Sequence, residues 1–114
     1  MVTIIDYNAG NIRSITNALD KLGFSYEVTS DPQKVAQAGK VIFPGVGSAK
    51  AAMEELRRRD LVDTIRNLTM PFLGICLGMQ LLFEWSEEGD VECLGVIKGQ
   101  VKKFRGEGLK VPHI

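Results

Sequence analysis

Short strand-like runs alternate along this chain with segments whose apolar residues have helical spacing, and this alternation restricts the folds that the chain can adopt. The strand-like runs are VTIID at 2–6, FSYEVTS at 24–30, KVIFPGVGS at 40–48 and MPFLGI at 70–75. VTIID is apolar or β-branched at nearly every position, which is typical of a strand buried on both faces of a parallel sheet. We therefore predict an α/β fold in which a parallel sheet carries helices on both faces.

The segments between the first strand-like runs contain signals for helix ends. Apolar residues recur at steps of three and four from Asn11 to Leu22, and Gly23 follows, where the end of a helix favours a positive φ. Asp31 is predicted to cap a second, short helix, because Pro32 after it suits the first helical position. These signals predict that a helix follows each of the first two strands.

The helical signals further along the chain are less regular. Within 49–68 the apolar spacing slips by one residue after Leu56, which predicts two consecutive helices, the second of them capped by Asp60. Residues 77–88 are predicted to form one helix. After Gly89 the pattern changes to short alternating pieces, GVIKGQVKKF and LKVPHI, which are typical of antiparallel or edge strands.

The composition argues against several classes of protein. The 114 residues are enough for one domain and too few for two. Lysine and arginine together number 14, as do aspartate and glutamate, so the overall charge attracts neither nucleic acid nor an anionic membrane. The first residues do not resemble a signal peptide, and no stretch is long enough to cross a bilayer. We therefore expect a cytoplasmic protein whose two cysteines, Cys76 and Cys93, are free thiols.

One of these cysteines, Cys76, lies between two glycines at the junction of a predicted strand and a predicted helix. Gly74, Cys76 and Gly78 form the pattern G-x-C-x-G, the thiol counterpart of the nucleophile elbow. The central residue of such a turn has a strained backbone, and the N–H groups at the start of the helix favour a thiolate. The pattern therefore predicts a nucleophile at Cys76. The alternative is a small buried residue, the role that we predict for Cys93, which lacks such a turn.

A nucleophile that transfers acyl groups needs hydrogen-bond donors for the oxygen that becomes negative during the reaction. The residue after the nucleophile, here Leu77, commonly supplies one donor, and a loop after another strand supplies the second. The segment PGVGS at 44–48 follows a predicted strand and should lie at the same edge of the sheet as Cys76, so it is the best candidate for the second donor. Neither GxxxxGK[ST] nor GxGxxG occurs, and a phosphate-binding loop is therefore a poor alternative.

These residues resemble the class I (triad-type) glutamine amidotransferases, whose elbow matches GICLGMQ at 74–80. Further segments resemble, more specifically, the glutaminase subunits of imidazole glycerol phosphate synthases. These segments are DYNAGNIRSI at 6–15, PGVG at 44–47, LGMQLLFEWSEEG at 77–89 and VPHI at 111–114. The resemblance covers the whole chain and implies the flavodoxin-like fold of that family, incomplete at the C-terminus.

The resemblance implies a role for several residues of the predicted site. Cys76 would attack the side-chain amide of glutamine, release ammonia and form a thioester that water hydrolyses. The backbone amides of Val46 and Leu77 would face the oxyanion, and Gly47 and Gln80 would line the glutamine site. The resemblance implies no cofactor and no metal for this glutaminase.

The resemblance also implies a partner. In these enzymes the ammonia passes to a cyclase subunit with a (β/α)8 barrel, which uses it in histidine biosynthesis. Asn11, in the turn after the first strand, matches a position near the interface with that cyclase subunit. We therefore expect a heterodimer with the cyclase and no binding of nucleic acid or membranes.

The family's triad is completed by a His-x-Glu pair far downstream of the cysteine, whereas this chain has one histidine, His113. His113 falls in VPHI, a segment distinct from that pair, so we predict a structural or substrate-proximal role for it and not that of the base. We expect residues 1–114 to be the N-terminal part of a single amidotransferase domain, with little activity alone. Three alternatives stay open: the glutaminase of another class I amidotransferase, a non-catalytic α/β module, and another cysteine hydrolase of flavodoxin-like fold.

Overall fold

In the computed structural model, which describes residues 1–8, 11–87 and 90–101, the main sheet is parallel. Its strands are β1 (Val2–Ile5), β2 (Tyr26–Thr29), β3 (Lys40–Phe43) and β4 (Phe72–Gly74). The helices are α1 (Ile12–Leu22), α2 (Pro32–Ala36), α3 (Ala49–Arg58), α4 (Val62–Arg66) and α5 (Leu77–Leu81). A smaller sheet contains β5 (Trp85–Ser86), β6 (Val91–Glu92) and β7 (Gln100–Val101). The predicted parallel α/β architecture is confirmed.

The order of the strands in the main sheet is β2-β1-β3-β4, so the chain reverses its direction of winding between β1 and β3. Crossovers between parallel strands are right-handed, which places α1 on one face of the sheet and α2, α3 and α4 on the other. This order is that of the flavodoxin-like folds, in which ligands bind at the carboxyl ends of the strands where the winding reverses. The topology therefore predicts a ligand site at the loops that follow β1 and β3.

The main core lies on the face of the sheet that packs against α2 to α5. Its largest fully buried side chains are Ile5, Tyr7, Val35, Val41, Phe43, Met53, Leu56, Leu61, Ile65, Leu81 and Leu94. On the opposite face, Ile4 pairs in register with Val28 and Ile42, and Ile42 pairs with Leu73. Ile4 is fully buried there, whereas Leu73 is 57% exposed. The second face is thus covered at its centre and open at the β4 edge within the described residues.

The local signals at the ends of α1 and α2 are confirmed. Gly23 follows α1 with a φ of +78°, a left-handed conformation that glycine adopts without steric cost. Pro32 is the first residue of α2, and Oδ1 of Asp31 accepts a hydrogen bond from the Gln33 amide at 2.9 Å. These helix ends are decided by neighbouring residues, which is why the sequence predicts them.

The two consecutive helices predicted within 49–68 are confirmed, but the predicted cap at Asp60 is wrong. Asp60 has a φ of +57°, and its amide donates to the Arg57 carbonyl at 3.2 Å, while the Leu61 amide donates to Leu56 at 3.0 Å. This backbone arrangement ends α3, and Leu61 takes the N-cap position of α4 without a side-chain bond.

The helix predicted over 77–88 is wrong beyond Leu81. The carbonyls at the end of α5 and just after it accept hydrogen bonds from a distant segment. The amides of Leu94, Ile97 and Gly95 donate to the carbonyls of Leu81, Leu82 and Phe83, in that order. The next residues pair with β6 and β7 as strand β5. Tertiary hydrogen bonds thus override the helical spacing of this segment.

The edge strands predicted after position 89 are confirmed in part. β7 lies within GVIKGQVKKF and pairs parallel with β5. β6, which pairs antiparallel with β5, precedes both predicted pieces. The predicted strand is wrong between Gly95 and Gly99, because both glycines have a positive φ, +69° and +126°, and turn the chain. Residues 102–104, at the end of GVIKGQVKKF, and all of LKVPHI lie outside the described residues. None of the described helices has the length and hydropathy to span a membrane.

Candidate active site

Cys76 occupies the turn between β4 and α5, and its side chain is exposed. Its backbone has a φ of +52° and a ψ of −122°, a conformation that residues with a Cβ rarely adopt and that costs conformational energy. This is the strained strand-to-helix turn that the G-x-C-x-G pattern predicts. The thiol is consequently held clear of the sheet at its carboxyl edge.

The two glycines beside Cys76 allow α5 to lie directly on the backbone of the sheet. A Cβ on Gly78 would overlap the carbonyl oxygen of Phe43, at the end of β3. A Cβ on Gly74 would lie 2.8 Å from the Cα of Met79, in α5. Both glycines are therefore required for close backbone approach, in addition to any freedom that they give to the turn.

The loop after β3 lies against this turn, as its position in the sequence predicts. The Ile75 amide donates to the Phe43 carbonyl at 3.0 Å, and the Leu77 amide donates to the Gly45 carbonyl at 2.9 Å. Residues 44–47, which we call the PGVG loop, and the turn around Cys76 therefore form one hydrogen-bonded unit.

The two predicted oxyanion donors differ in whether they already donate a hydrogen bond. The Leu77 amide already donates to Gly45, so it is not free to receive another acceptor. The Val46 amide has no acceptor among the described residues, and Val46 is 53% exposed. The Gly45 carbonyl and the Val46 amide belong to one planar trans peptide and point in opposite directions. Both amides can therefore face one anion only if the bond between Leu77 and Gly45 opens and this peptide turns.

The predicted glutamine-site residues lie on the two elements that meet at Cys76. Gly47 is exposed in the PGVG loop with a φ of +96°, and Ser48 after it caps α3 through a hydrogen bond from the Ala51 amide at 3.3 Å. Gln80 is half-buried in α5, and its backbone amide donates to the Cys76 carbonyl at 3.2 Å. Gln80 is thus one helical turn from the thiol.

Asn11 lies at the same edge of the sheet but further from the thiol. It precedes α1 in the connection from β1, and β3 separates β1 from β4. Its carbonyl accepts a hydrogen bond from the Ser14 hydroxyl at 3.1 Å, while its side chain makes no capping bond. The exposed Asn11 side chain is therefore not committed to holding α1.

Tyr7 contributes to this edge and is a residue that the sequence does not single out. Its side chain is 1% exposed, its ring centroid lies 5.3 Å from that of Phe43, and its hydroxyl donates to the Pro44 carbonyl at 2.5 Å. Burial raises the pKa of the Tyr7 hydroxyl well above its usual value, so the hydroxyl stays a donor at any physiological pH. A signal for it exists in the sequence, namely an aromatic residue with a polar tip directly after a buried strand.

Cys93 is a structural thiol, as predicted from its lack of an elbow. It is 1% exposed, and its Sγ lies 3.7 Å from the Val91 carbonyl. Burial raises the pKa of the Cys93 thiol, while Arg57 lowers it and Glu92 raises it. The segment around Cys93 is attached to α4 by Arg66, whose Nε donates to the Leu94 carbonyl at 2.8 Å.

Within the described parts of the chain, no group of His, Cys, Asp and Glu side chains could hold a metal ion. His113 and the rest of VPHI lie outside those parts. The structural or substrate-proximal role of His113 therefore stays a prediction.

Comparison with known proteins adds a family and several relatives. Residues 3–113 match the sequence profile of the family described as "Glutamine amidotransferase class-I". Imidazole glycerol phosphate synthase subunit HisH of Idiomarina loihiensis is 49% identical over 99% of this chain and 58% of its own length. The subunit of the same name from Bacteroides fragilis is 50% identical over 99% of this chain and 59% of its own length. The chain thus spans less than three fifths of the length of these curated relatives.

Proposed function

The chain belongs to the class I glutamine amidotransferase family, and from this premise we propose that it carries the nucleophile of a glutaminase. The observation that carries the proposal is the exposed Cys76 in a strained turn, hydrogen-bonded through Leu77 to the PGVG loop. A structural cysteine does not require a positive φ, whereas a nucleophile that must project from a sheet benefits from it.

More specifically, we propose the glutaminase subunit of an imidazole glycerol phosphate synthase, acting in the cytoplasm in histidine biosynthesis. The relatives that bear this name support the assignment, as does the resemblance of DYNAGNIRSI at 6–15. The partner is a cyclase subunit with a (β/α)8 barrel, and Asn11 faces its interface. The uncommitted side chain of Asn11 at the carboxyl edge is compatible with such a contact.

The reaction proceeds through a thioester. The Cys76 sulfur attacks the carbon of the glutamine side-chain amide, an S–C bond forms, and the carbonyl electron pair moves onto oxygen. When the tetrahedral intermediate collapses, the C–N bond breaks and the nitrogen leaves with a proton as ammonia. Water then adds to the thioester, the C–S bond breaks, glutamate leaves, and a proton from the water restores the thiol. Gly47 and Gln80 line the site that holds the glutamine.

The oxyanion of each intermediate is held by the amides of Val46 and Leu77. Because the Leu77 amide donates to Gly45 in the structure, that bond opens and the Gly45–Val46 peptide turns before the oxyanion is bound. Donors aimed at a developing charge are a large source of rate enhancement, so the closed arrangement is a slow form of the enzyme.

The base that takes the thiol proton is a histidine of a His-x-Glu pair, as in the triad of the family. We place this pair outside residues 1–114, and we do not assign its role to His113. α5 has only five residues, so few peptide dipoles are aligned behind Cys76, and a base is needed to form the thiolate at a useful rate.

A chloroketone analogue of glutamine tests the proposal. In this analogue a chloromethyl ketone replaces the side-chain amide of glutamine. Cys76 adds to the ketone carbonyl and then displaces chloride to form a stable thioether. We expect selective labelling of Cys76 over Cys93 in peptide mass spectra of the protein expressed from its gene, with protection by glutamine. Equal labelling of both thiols, no labelling, or labelling that glutamine does not slow would contradict a glutamine site and favour a non-catalytic module or another hydrolase.

A second measurement tests the identity of the partner. We expect hydrolysis of glutamine to ammonia to rise when the cyclase subunit is added, because the two subunits form one enzyme. If the cyclase subunit leaves the rate unchanged while Cys76 is labelled, the chain is the glutaminase of another class I amidotransferase.

A further inference from the structure

Three successive carbonyl groups run from the end of β3 into the PGVG loop, and each accepts a hydrogen bond from a different donor. The Phe43 and Gly45 carbonyls accept from Ile75 and Leu77, on the two sides of Cys76. The Pro44 carbonyl between them accepts from the hydroxyl of Tyr7, which follows β1. The loop is therefore held by the Cys76 turn and, independently of that turn, by a side chain from the neighbouring strand.

The Tyr7 side chain is itself well fixed. It is fully buried, and its ring packs against Phe43 at an interplanar angle of 34°. Its hydroxyl lies so close to the loop that a Cβ added to Gly45 would overlap it. A donor held this rigidly defines the position of the Pro44 carbonyl and not merely its solvation.

The bond from Tyr7 gains importance when the oxyanion site opens. Release of the Leu77 amide removes the bond at Gly45, and Pro44 cannot add one because proline has no N–H. The PGVG loop is then held at its start by the strand pairing at Phe43 and by Tyr7, while Ser48 after it stays bonded to α3. The Tyr7 bond also joins the segments that follow β1 and β3, the two strands between which the sheet reverses its winding and next to which ligands bind.

We infer that Tyr7 is a positioning residue for the reaction: its hydroxyl holds the Pro44 carbonyl, so the Pro44–Gly45 peptide keeps its place while the Gly45–Val46 peptide turns, releases the Leu77 amide and brings the Val46 amide to face the same anion. This inference rests on the proposed glutaminase function. It extends that function to a side chain outside the cysteine motif.

The experiment compares two alkylations of Cys76 in the protein expressed from its gene. The chloroketone analogue of glutamine develops an oxyanion, whereas iodoacetamide reacts by direct displacement of iodide and develops none. We divide the rate constant for the chloroketone by the rate constant for iodoacetamide. This ratio reports on the oxyanion site and cancels changes in the exposure of the thiol. The test variant is Tyr7→Phe, which removes only the hydroxyl. The control is Tyr26→Phe, because the exposed Tyr26 hydroxyl bonds to Asp20 at 3.3 Å, away from the PGVG loop.

We expect Tyr7→Phe to lower the ratio by about tenfold, less than the loss of an oxyanion donor itself, and Tyr26→Phe to leave it unchanged. An unchanged ratio in Tyr7→Phe, or a parallel fall in both rate constants, would show a purely structural role and overturn the inference. If glutamine fails to protect Cys76 in the parent protein, it is the glutaminase function that fails.

Incorporation of 4-aminophenylalanine at position 7 restores an N–H donor at the same place and decides the question even if Tyr7→Phe does not fold. We expect a ratio close to that of the parent, because the donated hydrogen bond is what positions the loop. A ratio reduced about tenfold in this variant would contradict the inference.

Discussion

The Leu77 amide and the Gly45 carbonyl form a 2.9 Å hydrogen bond that closes the Cys76 turn against the PGVG loop. The contact is possible because neither Gly45 nor Gly78 has a side chain. A Cβ on Gly45 would lie 2.8 Å from the Gly78 nitrogen and 3.1 Å from the Cβ of Leu77. The candidate active site is thus built largely from backbone that packs on backbone.

Gly78→Ala tests this close packing. The added methyl group would overlap the Phe43 carbonyl, and neither backbone can move without breaking the hydrogen bonds around Cys76. We expect the free energy of unfolding to fall by about 3 kcal/mol, measured by urea denaturation. Gly39→Ala is the matched control, since its Cβ would meet nothing within 4 Å. An equal loss in both variants would show that helix α5 does not lie against β3 as described.

Cys76→Gly tests the strain at the elbow. Glycine accepts a φ of +52° without the penalty that a Cβ imposes, whereas Cys76→Ala keeps that penalty. We expect Cys76→Gly to unfold with a free energy about 1 kcal/mol higher than Cys76→Ala, and both variants to lack the proposed glutamine hydrolysis. A lower stability of the glycine variant would mean that the turn is relaxed in solution.

Arg66→Met tests the attachment of the segment around Cys93 to α4. Arg66 donates to the carbonyls of Leu94 and Cys93, at 2.8 and 3.4 Å. Its loss should lower the free energy of unfolding by about 2 kcal/mol, because hydrogen bonds from a charged group to buried acceptors are among the stronger ones. Arg58→Met is the control: Arg58 pairs with Glu55 at 2.8 Å but is 68% exposed, so we expect a change below about 0.5 kcal/mol. Similar losses in the two variants would contradict the anchoring role of Arg66.

Cys93 should make stability depend on pH in the alkaline range. Burial raises the pKa of its thiol, so above the ordinary cysteine pKa of about 8.5 the unfolded chain loses this proton before the folded chain does. The free energy of unfolding therefore falls as pH rises through this range, and below the range the Cys93 thiol adds no pH dependence. Urea denaturation between pH 7 and about 10 should show a shallower decline for Cys93→Ala than for the parent. A decline of the same slope would indicate that the thiol is not buried.

Much of the architecture follows from patterns that are local in the sequence. The strand-like runs, the Asp31 cap, the glycine that ends α1 and the strained turn at Cys76 each depend on residues a few positions apart. The resemblance adds roles for Val46, Leu77, Gly47, Gln80 and Asn11, which the geometry places at one edge of the sheet and which stay predictions. The family itself is shown by the match over residues 3–113.

Other features were decided only by tertiary structure. Helix α5 ends at Leu81 because the carbonyls that would continue it accept hydrogen bonds from residues 94–97. The end of α3 at Asp60 is, by contrast, local: Asp60 has a positive φ, and the amides of Asp60 and Leu61 donate to Arg57 and Leu56. The bond from Tyr7 to Pro44 joins residues 37 positions apart, and the bond from Leu77 to Gly45 occupies a predicted oxyanion donor. The sequence by itself determined which segments form the strands of the main sheet and where the thiol stands. Only the fold decided which distant backbone groups meet, because those hydrogen bonds depend on the packing of the whole sheet.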